Sequence, residues 1–272
     1  MPELPEVETV KTGLRPYVLN QKILNVVIRN HNFRWPIADD FANNVKTCTI
    51  KSISRRSKYL LFGTDYGTII IHLGMSGVLL LADQKQPVNK HDHVDFILSN
   101  NKIMRLNDPR RFGCVLWTKQ HPLKHKLLQD LAPEPLSKDF NCEYLKQKIC
   151  NRKTLIKSAL MNSKLVVGVG NIYASETLFA SKINPLRRAY QIKDYEIKLL
   201  VVAIKEVLSK AINAGGTTLK DFTNINGRPG YFKQELLVYG RKGEKCKVCQ
   251  TIIKQTKITN RATYYCPICQ PE

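Results

Sequence analysis

Ala132-Pro133-Glu134-Pro135-Leu136 divides the chain in two. Two prolines with one residue between them make a stiff, extended connector. Each ring fixes its own φ and pushes the preceding residue out of the helical region. The hydrophobic period changes across this connector. Upstream, to about Leu131, short apolar and β-branched runs stand between Gly, Asn and Pro punctuation: Ile23 to Arg29, Thr68 to Leu73, Val78 to Leu81, His93 to Leu98, Ile103 to Leu106 and Cys114 to Trp117. Val94, Phe96 and Leu98 alternate with Asp95, though Ile97 blurs the pattern. Such a series predicts a sandwich or barrel. Residues 1–15 read as an amphipathic helix. Downstream the period predicts helices over Glu143 to Cys150, Thr154 to Met161, Ile172 to Ser181 and Asp194 to Ala214. In the last, Ile197, Leu200, Val201, Ile204, Val207, Leu208, Ala211 and Ile212 form one stripe, and Gly215-Gly216 ends it. The expected class is α+β.

Beyond Gly240 the chain changes again. Cys246-Lys247-Val248-Cys249 and Cys266-Pro267-Ile268-Cys269 are two C-x-x-C pairs separated by sixteen residues. Four thiolates at this spacing suit one tetrahedral structural Zn2+. Redox C-x-x-C motifs do not usually come as spaced duplicates. Thr251 to Lys257 and Ala262 to Tyr265 read as a hairpin turning at Asn260-Arg261. A piece this small cannot bury a core of its own, so the metal must hold it. The tip presents Arg261, with Lys254, Lys257 and Arg241 near it, either as a phosphate grip or as a solvated turn. Cys48, Cys114, Cys142 and Cys150 read as ordinary buried or semi-buried thiols.

The 272 residues carry a net charge of +21, and 43% are hydrophobic. That is enough for one large or two ordinary domains, and too apolar for disorder. The charge calls for a polyanionic partner, nucleic acid before anionic membrane. No apolar stretch approaches the ~20 residues of a membrane span. No basic segment leads into an apolar run, so no secretory signal is expected. A cytoplasmic, reducing location follows, and the cysteines do not read as disulfides.

The start, Pro2-Glu3-Leu4-Pro5-Glu6-Val7-Glu8-Thr9, has two readings. One is a helix start: proline at the first positions, acids in the first turn, and Val7, Val10 and Leu14 packing inward. The other is chemical. If Met1 is removed, Pro2 offers a secondary amine beside a carboxylate. An α-amino group has a reference pKa of roughly 7.7–8.0, so about a tenth is neutral at pH 7. Attack on a sugar carbon yields an iminium, an electron sink.

Together these pieces resemble the bacterial formamidopyrimidine-DNA glycosylases (Fpg, also called MutM). The resemblance spans essentially the whole chain. It is carried by residues 1–9, Arg55-Arg56-Ser57-Lys58-Tyr59-Leu60, His72-Leu73-Gly74-Met75-Ser76-Gly77, and Lys90-His91-Asp92-His93-Val94-Asp95. It continues through Asp108-Pro109-Arg110-Arg111-Phe112-Gly113, Val167-Gly168-Val169-Gly170-Asn171-Ile172-Tyr173, Gly215-Gly216-Thr217-Thr218 and the four cysteines. It implies an N-terminal β-sandwich flanked by helices (1–131), a linker and connecting helix (132–150), a helix–two-turn–helix DNA-binding domain (151–236) and a zinc-finger hairpin (237–272). DNA would lie in a basic cleft.

The implied activity is base-excision repair. Such an enzyme removes 8-oxoguanine and formamidopyrimidines from double-stranded DNA, then cuts the strand by β,δ-elimination. By resemblance the catalytic residues are Pro2, Glu3, Lys58 and Arg261. Pro2 is the Schiff-base nucleophile, Glu3 the acid/base at the sugar ring oxygen, Lys58 a third catalytic group, and Arg261 the finger residue on phosphate. Met75, Arg110 and Phe112 resemble the residues that fill the space left by a flipped nucleotide. His91, Arg110, Arg152, Lys157 and Asn171 resemble DNA-backbone contacts. The stretch from Thr217 to Tyr231 resembles a loop that closes over the damaged base. Lesion-bearing or abasic DNA is the expected partner, with no membrane, and a monomer is expected.

By residue type alone, Lys58 reads as a salt-bridged strand lysine, and Met75 and Phe112 as core. His91 and His93 share a strand face but lack a further ligand nearby. Gly168-Val169-Gly170 lacks the third glycine of a nucleotide loop. Three rivals compete: an endonuclease VIII-like enzyme for oxidised pyrimidines, a non-catalytic zinc-finger DNA-binding protein, and a small-molecule enzyme with a proline base. Leu4 disfavours the first, which usually has glycine there. The third leaves the charge and the cysteine module unexplained.

DNA affinity should fall steeply with salt, by about 0.9 log unit per neutralised phosphate per decade of salt. A fluorescence-anisotropy titration at several salt concentrations checks this, and a flat response contradicts it.

Overall fold

The computed structural model describes residues 2–217 and 235–272. The chain forms two compact units. One runs to Asp130 and takes in the segment from Ala214; the other holds Leu131–Asn213 and the C-terminal residues to Glu272.

The first unit is a β-sandwich. In chain order it contains α1 (Leu4–Val18), β1 (Ile23–Ile28), α2 (Phe41–Val45), β2 (Ile50–Arg56), β3 (Tyr59–Thr64), β4 (Thr68–His72), β5 (Val78–Asp83), β6 (Asp92–Leu98), β7 (Lys102–Asn107) and β8 (Cys114–Thr118). Two four-stranded sheets run in the orders β1-β6-β7-β5 and β2-β3-β4-β8. Val26, Phe96 and Leu106 of one sheet share a single core with Ile53, Phe62 and Ile71 of the other. Val7, Val10, Leu14 and Val18 of α1 and Phe41 and Val45 of α2 close that core.

β2 and β3 go beyond the sequence expectation. β2 reads Ile-Lys-Ser-Ile-Ser-Arg-Arg, which is polar and basic, and buries only Ile50 and Ile53. β3 carries Leu60, Leu61 and Phe62 in a row, all buried, so period two is invisible. In β6 Asp95 is buried on the face that alternation assigns to solvent. Arg105 Nε and Arg29 Nη2 donate to its two oxygens at 2.9 and 2.7 Å. Burial alone would raise its pKa, but the two guanidiniums outweigh it and hold the carboxyl below its ordinary range.

The second unit holds α3 (Cys142–Ile149), α4 (Ile156–Leu160), α5 (Asn171–Ala180), α6 (Asp194–Asn213) and the hairpin β9 (Lys254–Ile258) and β10 (Arg261–Tyr265). The stripe of α6 is buried at Ile197, Leu200, Val201, Ile204, Leu208 and Ala211, while Val207 and Ile212 are half-buried. The hairpin turns at Thr259-Asn260, one residue earlier than the sequence suggested. Both residues have positive φ, 47° and 60°, the type I′ geometry that matches strand twist. Arg261 therefore opens β10, paired with Ile258. Cys150 is exposed, against expectation.

Candidate active site

Pro2 is buried where the chain enters α1, and Glu3, 2% exposed, is the helix N-cap. The backbone N–H of Glu3 donates to Glu6 Oε2 at 2.8 Å. The other oxygen of Glu6 accepts from the N–H and hydroxyl of Thr217 at 2.8 and 2.9 Å. One buried carboxylate thus ties the start of α1 to the chain that follows Gly215-Gly216. A Cβ at Gly216 would meet Glu6 Oε1 at 3.0 Å, and its φ is +79°, so glycine allows this approach. Beyond Thr217, the segment expected to close over a damaged base lies outside the described residues.

Lys58 sits at the two-residue corner between β2 and β3, after Ser57 with φ 57°. Arg55 braces the corner: Nη1 donates to Ser57 O at 2.9 Å and Nε to Glu8 Oε2 at 2.7 Å. The same α1 that carries Glu3 thereby positions the Lys58 turn. Burial alone would raise the Glu8 pKa, but hydrogen bonds from Lys11 and Arg55 lower it. His72 packs on Tyr59 with ring centres 4.7 Å apart, and its Nδ1 accepts from Gly74 N–H at 2.9 Å. Burial, with the Lys58 and Arg34 cations behind it, pushes His72 down to about 4. The ring is neutral at pH 7 and serves as an acceptor.

Met75, Arg110 and Phe112 are brought together on adjacent loops. Met75 and Phe112 are 40% and 42% exposed, not core as residue type alone suggested. The Arg110 guanidinium lies 4.6 Å from the Phe112 ring centre. Gly74 takes φ +60°, and a Cβ there would sit 2.4 Å from the Phe112 carbonyl carbon, so the two backbones touch. Beneath them Asp108 is fully buried. It accepts from Ser76 Oγ at 2.9 Å and from Gly113 N–H at 3.0 Å. His91 is half-buried, its ring 6.2 Å from that of His93. His93 Nε2 lies 3.1 Å from Asp108 O. An apolar wedge beside a guanidinium suits an unstacked base step.

In the second unit Lys157 is 1% exposed. Its Nζ donates to Asn171 Oδ1, Ala262 O and Thr263 Oγ1 at 2.6, 3.1 and 2.7 Å. Asn171 Nδ2 donates to Ala262 O at 3.0 Å. These two residues, expected on DNA phosphate, use those groups to seat the hairpin whose corner carries the exposed Arg261. Arg152 is partly exposed and donates to Lys148 O at 3.4 Å. Lys257 pairs with Ala262 near the corner, whereas Lys254 pairs with Tyr265 at the far end. Arg241 is spent on Glu244, Leu237 O and Lys245 O.

The Sγ atoms of Cys246, Cys249, Cys266 and Cys269 all lie within 4.8 Å of one another. Two of the separations are 3.9 and 3.4 Å. A zinc tetrahedron with Zn–S of about 2.3 Å has edges of about 3.8 Å, so the four thiolates fit. Backbone N–H groups of Val248 and Cys269 point to the Cys246 and Cys266 sulfurs at 3.4 and 3.5 Å. Buried Gln270 joins the cluster to the end of α5: Oε1 accepts from Cys266 N and Nε2 donates to Ile183 O, at 3.0 and 2.8 Å. Glu176 of α5 accepts from the N–H groups of Leu237, Val238 and Tyr239 at 2.8–3.0 Å. Residue type gave no signal for Glu176 or Gln270. Ser76, Asp108 and Glu6 stand inside motifs but draw no attention there.

Three family models match: the formamidopyrimidine-DNA glycosylase N-terminal domain over residues 1–115, the helix–two-turn–helix domain of the same glycosylases over 131–223, and a zinc finger found in these glycosylases and in IleRS over 243–271. A formamidopyrimidine-DNA glycosylase of Salmonella arizonae is 55% identical over 99% of this chain and 100% of its own length. One of Escherichia coli is 54% identical over the same spans. Among solved structures, a Lactococcus lactis Fpg variant bound to Fapy-dG-containing DNA matches with TM-score 0.92 at 35% identity, covering 100% of both chains. The Thermus thermophilus MutM protein matches at 0.90 and 34%, covering 100% of this chain and 99% of its own.

Two outcomes are expected. Cys246→Ala should lose zinc and weaken DNA binding while the N-terminal unit stays folded, checked by metal analysis, anisotropy and urea unfolding. A depressed histidine pKa means that the unfolded chain binds the proton first, so His72 costs stability as pH falls from about 6.5 towards 4. His72→Gln should therefore lose less stability than wild type between pH 7 and pH 5, read from urea midpoints.

Proposed function

The chain belongs to the formamidopyrimidine-DNA glycosylase family, and from that premise we propose that its Pro2 amine is the nucleophile at deoxyribose. The protein is a DNA glycosylase for oxidised purines with AP lyase activity in base-excision repair, and its finger is built for one structural zinc ion. The observation that carries the site reading is the buried Pro2-Glu3 start, held by Glu6 and braced through Glu8 and Arg55 to the Lys58 corner.

C1′ of a stacked nucleotide cannot be reached, so the damaged nucleotide is flipped out, at a few kcal/mol. Met75, Arg110 and Phe112 fill the space it leaves. The Pro2 nitrogen then bonds to C1′ as the glycosidic bond breaks and the base departs with a proton. Glu3 delivers a proton to the sugar ring oxygen as the ring opens, which leaves an iminium on C1′. The iminium acidifies the C2′ protons. Loss of one expels the 3′ phosphate, and a second elimination expels the 5′ phosphate. Hydrolysis returns the free amine. Lys58 supplies a cation and a proton donor near the sugar. Arg261 grips the phosphate beside the lesion. His91 and Arg152 hold the DNA backbone, with Lys157 and Asn171 acting there and through the hairpin they seat. A neutral His72 adds no positive charge beside Lys58.

We also place the work in the cytoplasm, on the nucleoid, by a monomer. No helix among the described residues is long and apolar enough to cross a membrane.

Borohydride trapping on a duplex containing 8-oxoguanine tests the assignment. Wild type should form a covalent adduct whose peptide begins at Pro2, and Pro2→Gly should form far less. Equal trapping by both proteins removes Pro2 from the mechanism.

A further inference from the structure

We propose that Asp108 is the positioning residue that makes Met75, Arg110 and Phe112 act as one wedge, and so sets how well this enzyme opens a stacked duplex. The inference rests on the glycosylase reading above and adds a residue to it. Asp108 touches no DNA: it is 0% exposed. Its polar groups are committed to the loops that carry the wedge and to the His91–His93 segment beside them. Oδ1 accepts from Ser76 Oγ, next to Met75, at 2.9 Å. Oδ2 accepts from Gly113 N–H, next to Phe112, at 3.0 Å. Its own N–H donates to His91 O at 3.0 Å, and its carbonyl accepts from Arg111 N–H at 3.1 Å. Ser76 Oγ in turn accepts from Arg110 N–H at 3.3 Å.

The loops bear large exposed side chains and have little apolar anchorage of their own. Arg111 sits at φ 53°, a conformation unfavourable for a non-glycine residue that lasts only when its surroundings impose it. A buried carboxylate that accepts from two loops imposes it. Prising open a base pair needs a wedge that is already in place, since each rotamer ordered on binding subtracts from the energy available for unstacking. Asp108 therefore matters most where a base must leave the stack, and least where the base is already missing.

The experiment compares two substrates under single turnover: a duplex with 8-oxoguanine and the same duplex with a ready-made abasic site. Asp108→Ala should slow base release about 100-fold and slow abasic-site cutting no more than about 3-fold. The signal of a 2-aminopurine placed beside the lesion should rise on mixing with wild type and stay low with Asp108→Ala. Asp108→Asn can still accept from Gly113 and donate to Ser76, and should restore base release to within about 10-fold of wild type. Should Asp108→Ala not fold, Ser76→Ala removes one arm and should show the same selectivity at about 10-fold. An equal loss on both substrates, or an unchanged 2-aminopurine response, overturns the proposal. Absence of a borohydride adduct with wild type on the abasic duplex would instead overturn the parent reading.

Discussion

Glu6, Asp108 and Glu176 are buried acids that each accept a hydrogen bond from a segment distant in sequence: Glu6 from Thr217 N–H, Asp108 from Ser76 Oγ and Glu176 from Val238 N–H. Removing a carboxylate from water costs several kcal/mol, and hydrogen bonds to a charged group return roughly 1.5–3 kcal/mol each. Each of the three receives at least two hydrogen bonds. The working parts of this protein are loops and turns, which have no ladder of their own to satisfy their backbone. The carboxylates supply the missing acceptors. For Glu176 burial wins, and its pKa is raised despite the three donors.

In the first unit this arrangement serves position. Neither Pro2 nor Lys58 lies within a strand or helix, yet both are held relative to α1, one through Glu6 and the other through Glu8, Arg55 and Ser57. The sandwich core behind them is continuous from α1 through both sheets to α2. A rigid scaffold with braced turns suits the proposed attack at a sugar carbon, because small misplacements of a nucleophile cost orders of magnitude in rate.

In the second unit the anchor is shared between metal and protein. Four thiolates set the knuckles, Gln270 ties the second to Ile183 just past α5, Glu176 of α5 holds Leu237 to Tyr239, and Lys157 with Asn171 fixes the hairpin. The Nζ of Lys157, almost wholly buried, is held by three oxygens. The basic residues of the finger are accordingly divided, with Arg261 presented and Arg241 consumed.

Residue order alone settled the change from strands to helices at Pro133 and Pro135, the zinc module from two C-x-x-C pairs, the polyanion partner from +21 charge, and the kinship from a string of ordered motifs. These are local or additive properties, readable without knowing who touches whom. β2 and β3 escaped because burial on one side of a basic strand and on both sides of an apolar one erases the period. Asp108 and Glu6 escaped for a related reason. An acid in a motif reads as exposed, and only the tertiary structure decides that it is buried, which donors it accepts from, and therefore which loops it holds together.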